Sequence, residues 1–326
     1  MNGSANGRVL GNVLGNALGT VNGSLLRAAG LAFRLAPSPV PRRQRREAGR
    51  HALVDGVPFV MPVDSRGTPA MMAAFSIDGD AAAAKLPGDE LHPLRLANGR
   101  GVLLVTVLSY QHTDIGRYIE YSIGIMCTHG VRPAPRLLPG LLRGRFGTGL
   151  YLLDLPVSTE ISVKGGKGIW GMPKHRAPLS FDVTDRRVAA QYDSDGLLAA
   201  RAEIDRPSFG PLPLRAAAVA YASFRGMLMR STIYFTGDAY VAVAPRATGR
   251  LVLGDAPEVR SLHDLDLGEF PMFTAYLPAV SGLLDDHVES WFLTSDRRIR
   301  ERPEGLESVV DLGLSEEWPP APVAKV

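Results

Sequence analysis

The chain has 326 residues, of which 45% are hydrophobic and 21% are charged. This length and balance are typical of a globular protein with a sizeable buried core, and they exclude a chain that is disordered throughout. No run of 18 or more apolar residues is free of charged or amide side chains, so the sequence predicts a soluble protein without a membrane-spanning helix. The single cysteine, Cys127, excludes an internal disulfide and a cysteine-based zinc site, and we expect a cytoplasmic location.

Charge is distributed unevenly, since residues 1–46 contain seven arginines and no acidic residue. The other 29 of the 36 basic residues are balanced by 33 acidic ones, so the remainder is mildly acidic. It therefore lacks the excess of basic residues that binding to duplex nucleic acid requires. We divide the chain into a basic leader, residues 1–50, and one domain, residues 51–326.

The leader permits two interpretations. Its glycines recur every four residues, which would give a helix a stripe of small side chains, at Gly11, Gly15, Gly19 and Gly23. Glycine disfavours an isolated helix, so the segment is either mobile or a surface helix that binds a membrane or a neighbouring subunit. It has no compact apolar core with a small-residue cleavage signal, which argues against a cleaved signal peptide.

The first half of the domain shows mostly strand patterns. Asp78 is placed to cap a short helix over residues 81–84. Three apolar runs predict buried strands, over residues 102–108, 118–126 and 150–156.

The second half contains a predicted helix and a predicted hairpin. Residues 216–229 are rich in alanine and contain no proline, which favours a helix. Residues 233–235 and 240–243 flank a Gly-Asp pair, which is typical of a hairpin turn. Many short strands with few helices predict an α+β fold, mainly an antiparallel sheet that is closed or sandwiched, with a few peripheral helices.

Several functional motifs can be excluded. The glycines at residues 165–168 do not fit a phosphate-binding loop, and those at residues 99–101 do not fit a dinucleotide loop. The seven histidines show no zinc-binding spacing, and no serine-hydrolase elbow is present. We therefore expect no metal.

One segment, residues 165–175, carries the candidate chemistry. Its glycines and Pro173 predict a turn that presents Lys174. A lysine amine attacks a carbonyl only when neutral, and with an ordinary pKa only about one in two thousand is neutral at pH 7. Apolar neighbours and adjacent cations both lower that pKa. The surrounding residues supply both kinds of neighbour, namely Trp170, Met172, His175 and Arg176. From these residues alone, a solvated surface lysine is an equal alternative.

The segment Trp170-Gly171-Met172-Pro173-Lys174-His175 resembles the WGFPKK motif of the acetoacetate decarboxylase family. Tyr118-Ile119-Glu120-Tyr121-Ser122 is similar to the family's YTES segment, which holds an active-site glutamate. Weaker similarity covers residues 78–87 and 150–154, and the whole resemblance extends over about residues 55–255.

The resemblance implies an acetoacetate decarboxylase-like fold and a cofactor-independent carbon–carbon lyase. Lys174 matches the lysine that forms a Schiff base with the ketone of a β-keto acid, and Glu120 matches the neighbouring glutamate. Candidate substrate-binding residues are Arg66, His175, Arg176, Trp170 and Met172. The implied partners are a small oxo acid and further copies of the chain in a homo-oligomer.

Three departures from the family pattern stand out. His175 replaces the family's second lysine, so the charge beside Lys174 depends on pH. A second acidic residue of the family falls near Val105 and Thr106, where no carboxylate is present. Arg66 is about two residues from the position of the family's substrate-binding arginine. Alternatives to decarboxylation therefore remain: an aldolase or dehydratase that uses the same lysine, or a binding protein that retains only the fold.

Overall fold

The computed structural model describes Val40, residues 49–136 and residues 143–294. Nearly all of the predicted leader lies outside these ranges, so its mobile and peripheral-helix interpretations stay predictions. Within the described ranges, no helix combines the length and the apolar character needed to cross a membrane.

The described residues form seventeen strands and three α-helices. The strands are β1 (Arg50–Val54), β2 (Val57–Met61), β3 (Val63–Ile77), β4 (Leu91–Pro93), β5 (Gly101–Tyr110), β6 (His112–Thr113), β7 (Tyr118–His129), β8 (Gly149–Val157), β9 (Lys174–Arg176), β10 (Leu179–Val183), β11 (Arg187–Ser194), β12 (Leu197–Asp205), β13 (Phe209–Phe224), β14 (Met227–Val243), β15 (Gly249–Leu253), β16 (Phe273–Leu284) and β17 (Glu289–Phe292). The helices are α1 (Gly79–Lys85), α2 (Glu160–Trp170) and α3 (Pro257–Arg260), and two 3-10 helices lie at Arg143–Phe146 and His263–Leu265.

The largest sheet closes on itself. Its strands follow the order β7-β5-β3-β16-β14-β13-β8, and a further pairing between β7 and β8 joins the two ends into a ring. Strands β4 and β9 extend this sheet beyond β7 and β8. A four-stranded antiparallel sheet, β10-β11-β12-β15, and a two-stranded sheet, β1-β2, complete the fold. The predicted fold class, a mainly antiparallel closed or sandwiched sheet with few helices, is confirmed.

Alternation along β7 separates two cores. Tyr121 and Ile123 belong to the largest cluster, together with residues of the four-stranded sheet such as Tyr192. Tyr118 faces a second cluster with Tyr110, and Glu120 shares its side of the strand. Because successive side chains of a strand point to opposite faces, a single strand supplies both the packing between the sheets and the polar groups described below.

The predictions for the first half of the domain are confirmed. The Asp78 carboxylate accepts hydrogen bonds from the backbone N–H groups of Asp80 and Ala81, at 2.9 and 2.7 Å, at the start of α1. The three buried runs fall within β5, β7 and β8.

The predicted helix over residues 216–229 is wrong, because this segment forms the end of β13, a turn at Arg225 and Gly226, and the start of β14. Pairing with β14 along nearly all of β13 outweighs the helix propensity of the alanines. The predicted hairpin turn at Gly237 is also wrong, since Gly237 lies inside β14. A Cβ there would lie 2.8 Å from the carbonyl oxygen of Ala279, so this glycine permits close approach of β16.

Candidate functional site

The glycine-rich segment before Lys174 is a helix. The sequence predicted a turn, but residues 165, 166 and 168 lie within α2. A Cβ at Gly165 would lie 2.8 Å from Phe59, and one at Gly168 would lie 2.4 Å from Val54. A Cβ at Gly166 would lie 2.3 Å from Cδ of Lys174. The missing side chains let the helix pack closely on its neighbours, which offsets a propensity cost of about 1 kcal/mol per glycine.

The turn at the end of α2 places Lys174 beneath that helix. Gly171 adopts a left-handed conformation with φ of +63°, as is common at helix C-termini. The Gly171 N–H donates to the Lys167 carbonyl, and the Met172 N–H donates to the Gly166 carbonyl, both at 3.1 Å. The chain then enters β9, which runs parallel to β8 and places Lys174 beside Leu155.

Lys174 is buried and ion-paired. Only 6% of the residue is exposed, and its Nζ lies 2.7 Å from Oε2 of Glu120. Nζ also donates a hydrogen bond of 3.0 Å to Oγ of Ser162, a buried residue of α2. The structure therefore brings together the two residues that the sequence singled out, Lys174 and Glu120.

Three hydroxyl groups surround this ion pair. Tyr110 and Tyr118 are directly opposite each other on β5 and β7, and their rings stack with centroids 4.4 Å apart. Nζ of Lys174 lies 5.5 Å from the Tyr118 ring centroid. Burial, together with the charge of Glu120, raises the pKa of Tyr110. We call Ser162, Tyr118 and Tyr110 the hydroxyl cluster.

Burial and the ion pair act in opposite directions on the Lys174 amine. Burial alone lowers its pKa, but the nearby Glu120 carboxylate, with a smaller contribution from Tyr118, outweighs this effect and raises the pKa above its ordinary value. Burial also raises the pKa of Tyr118, to about 12. In this structure Lys174 is therefore an ammonium group, and the expected lowering of its pKa is not observed.

The residues after Lys174 do not bring a positive charge to the amine. His175 points to the other side of β9, where its Nε2 lies 2.7 Å from Oδ1 of Asp154. Arg176 is exposed. The expectation that these cations act directly on Lys174 is therefore wrong, because alternation along the strand turns His175 away and Arg176 is exposed to solvent.

Asp154 forms the centre of a second buried polar cluster. Its Oδ2 accepts a hydrogen bond from the hydroxyl of Tyr192, while Oδ1 meets His175. Burial lowers the pKa of His175, but the hydrogen bond and charge of Asp154 outweigh it, so the pKa is raised. We refer to Asp154, His175 and Tyr192 as the histidine cluster.

The remaining candidate substrate-binding residues make other contacts, and their role in binding stays a prediction. Trp170 and Met172 are buried in an apolar cluster with Met61 and Leu155, and the Trp170 indole donates to the Asp285 carbonyl at 3.1 Å. The side chain of Arg66 is 76% exposed and pairs with Asp64 at 2.7 Å.

Sequence reasoning missed the hydroxyl cluster and Asp154. Asp154 carried a signal, since it is the one charged residue in the apolar run 150–156. Ser162 carried none, because its role depends on how α2 packs over Lys174. Among the described residues, no group of three or more His, Cys, Asp or Glu side chains is arranged to hold a metal ion.

Comparison with known proteins places this geometry in a family context. A sequence model of the acetoacetate decarboxylase family matches residues 47–271. The structure of acetoacetate decarboxylase from Legionella pneumophila superposes with a TM-score of 0.52 at 14% identity, covering 80% of this chain and 95% of that one. The enduracididine biosynthesis enzyme MppR, complexed with pyruvate, gives a TM-score of 0.50 at 15% identity, covering 70% and 90%. None of the curated proteins matches the sequence significantly. At these identities, the structural similarity shows a shared fold.

Proposed function

This chain belongs to the acetoacetate decarboxylase family, and on that premise we propose that it is a lyase that forms a Schiff base between Lys174 and an oxo acid. We further propose that its reaction is the decarboxylation of a β-keto acid. The observation that carries this proposal is the buried contact of 2.7 Å between Nζ of Lys174 and Oε2 of Glu120.

The ion pair supplies both groups that Schiff-base formation needs. Glu120 accepts a proton from the ammonium group, which leaves a neutral amine next to a carboxylic acid. The amine attacks the ketone, and Glu120 protonates the carbinolamine oxygen. A second proton follows the same route as the C–O bond breaks. The products are a protonated imine and water, and both hydrogens of that water come from the lysine.

The protonated imine then accepts electrons from the breaking carbon–carbon bond. Carbon dioxide leaves, and the electron pair forms an enamine with Lys174. Protonation of the enamine carbon gives a new iminium, which water hydrolyses to the ketone and the lysine ammonium group. The full cycle takes one proton from solvent for each carbon dioxide released.

The test is reductive trapping together with carbon dioxide release. The protein is incubated with a panel of β-keto acids and with pyruvate, in the presence and absence of borohydride. We expect a stable mass adduct and release of carbon dioxide from at least one β-keto acid. Both signals should disappear in Lys174→Ala and persist in Lys164→Ala, which changes an exposed lysine of α2 that pairs with Asp55.

The two readouts separate the parts of the proposal. An adduct without carbon dioxide release would assign the lysine to aldol or dehydration chemistry, which uses the same iminium and enamine. Absence of any adduct, in a protein whose thermal unfolding is normal, would contradict the Schiff-base function itself.

A further inference from the structure

The register of the large sheet places a row of apolar side chains beside Glu120. Glu120 lies directly opposite Leu108 of β5, and Leu108 lies opposite Ala70 of β3. Ala70 in turn lies opposite Leu277 of β16. Directly opposite residues of antiparallel strands present their side chains to the same face of the sheet, which we call the Glu120 face. Glu120 therefore lies at one end of a row across four strands, and the other three members are buried hydrocarbon side chains.

A second row, two residues further along each strand, continues the Glu120 face. It contains Ser122, Thr106, Met72 and Ala275, which lie opposite one another in that order. Val241 of β14 lies opposite Ala275 and extends the row. Three of these residues, Thr106, Met72 and Val241, keep part of their surface exposed. This face therefore offers accessible, mostly apolar surface next to the first row.

The strands that form these rows carry almost no charge. Glu120 is the only Asp, Glu, Lys or Arg in β5, β7 and β16. The charged residues of β3 are Asp64 and Arg66, which pair with each other at 2.7 Å, and Arg66 is largely exposed. A ligand that placed a charge on this surface would lose its water without gaining a counter-ion, which is strongly unfavourable. The surface therefore favours an uncharged, apolar ligand group.

The Glu120 face also borders the lysine. Leu108 and Tyr118 belong to one apolar cluster that includes Val163 of α2, the helix above Lys174. Nζ of Lys174 lies 5.5 Å from the Tyr118 ring centroid and 2.7 Å from Oε2 of Glu120. A group bonded to Nζ is therefore next to the apolar rows.

We propose that the Glu120 face binds the hydrocarbon chain of the substrate, so that the preferred β-keto acid carries an apolar chain beyond its ketone. This inference rests on the Schiff-base function proposed above and specifies its substrate class. The imine carbon on Lys174 carries two substituents. One bears the carboxylate that is lost, and that charge stays beside the protonated imine until carbon dioxide leaves. The other is the chain beyond the ketone, which the uncharged surface accommodates.

The experiment compares β-keto acids that differ only in the chain beyond the ketone. The chain is a methyl, a propyl or a pentyl group, or a chain of the pentyl length that ends in a carboxylate. The keto acid concentration that gives half-maximal borohydride trapping is measured for each. Each methylene buried on the Glu120 face should lower this concentration about fourfold. The terminal carboxylate should cancel that gain, because the face supplies no counter-ion.

A matched pair of methionine variants tests where the chain binds. Met72→Ala removes half-buried side-chain atoms from the Glu120 face. Met272→Ala removes the same atoms from another half-buried methionine, which precedes β16 and lies outside the apolar cluster around Tyr118. We expect Met72→Ala to raise the half-maximal concentration of the pentyl compound about tenfold and that of the methyl compound much less. Met272→Ala should leave the ratio between the two compounds unchanged.

Contrary results separate this inference from the function on which it rests. Half-maximal concentrations that do not fall from methyl to pentyl would overturn the apolar-chain specificity alone, and so would a carboxylate-ended chain that is trapped as readily as the pentyl one. Equal effects of the two methionine variants would place the chain elsewhere and overturn it as well. The wild-type series decides by itself if Met72→Ala does not fold. If the wild type forms no adduct with any of the acids, the Schiff-base function fails, and this inference fails with it.

Discussion

Two neighbouring residues of one short strand pair with two different carboxylates. Lys174 meets Glu120 on one side of β9, and His175 meets Asp154 on the other, each at 2.7 Å. The surroundings differ. The hydroxyl cluster lies next to the lysine pair, whereas Asp154 also accepts a hydrogen bond from the buried Tyr192. Under the proposed function, the pair on one face of the strand serves chemistry, and the similar pair on the other face serves structure.

The comparison also changes the interpretation of His175. This residue stands where the family motif has a second lysine, and the sequence therefore predicted a pH-dependent charge beside Lys174. In the structure that charge belongs to the histidine cluster, and the group that controls the Lys174 amine is Glu120. Four sets of substitutions distinguish the two faces of the strand.

Replacing Glu120 by Gln should affect chemistry most. The variant keeps the side-chain volume but removes the proton acceptor, so adduct formation should slow by about 100-fold. Without the carboxylate, burial is left to lower the pKa of Lys174, and the pH dependence of adduct formation should shift to lower pH. Rapid-quench trapping across pH measures both effects. An unchanged pH profile would show that Glu120 does not control the amine.

Replacing Asp154 by Ala should affect stability most. His175 and the Tyr192 hydroxyl would lose their shared acceptor, and leaving such buried groups unsatisfied costs about 2 kcal/mol. Urea unfolding measures this loss, and Asp154→Asn should recover part of it. The adduct-formation rate of Asp154→Asn should stay near that of the wild type. A rate loss as large as that of Glu120→Gln would mean that the two faces do not act separately.

The helix glycines offer a finer test. Gly166→Ala would place a methyl group against the stem of Lys174, and Gly168→Ala would place one against Val54. Both changes overpack α2 and should lower stability by about 1–3 kcal/mol. Only Gly166→Ala should displace Nζ from Glu120, so we expect it to form the adduct about tenfold more slowly than Gly168→Ala. Equal rates would contradict the direct contact between helix and lysine stem.

The smallest effect concerns pH and His175. Its pKa in the folded protein is raised above the ordinary value of 6.5, so its contribution to stability is fully present below about pH 6.5. The contribution is lost as pH rises through the folded pKa. The difference in unfolding free energy between wild type and His175→Gln should therefore be largest at low pH and should shrink as pH rises. A difference that grows with pH would reverse the assigned direction.

The sequence predicted the parts of this site that depend on local pattern. Apolar runs identified the strands that hold Glu120 and Asp154, and the motif around Lys174 identified the lysine that pairs with Glu120. It did not predict α2, because three glycines within eleven residues ordinarily argue against a helix. Their reason is close packing against Phe59, Lys174 and Val54, which only the tertiary structure shows. The same holds for β13, where pairing with β14 overrides the propensity of its alanines.

The hydroxyl cluster could not be predicted from the sequence for a related reason. Ser162 is on a helix, whereas Tyr110 and Tyr118 are on paired strands, and no spacing along the chain relates the helix to the strands. Their meeting depends on ring closure of the large sheet and on the approach of α2 to β9. Lys174 and Glu120 also lie on different strands, and only the resemblance to the family motifs predicted them together.

Locating the trapped adduct tests most directly whether Lys174 forms the Schiff base. The protein is treated with pyruvate and borohydride and digested, and the modified peptide is sequenced by mass spectrometry. We expect the label on Lys174, with other lysines such as Lys164 unlabelled. A label distributed over exposed lysines, with Lys174 unmodified, would contradict it.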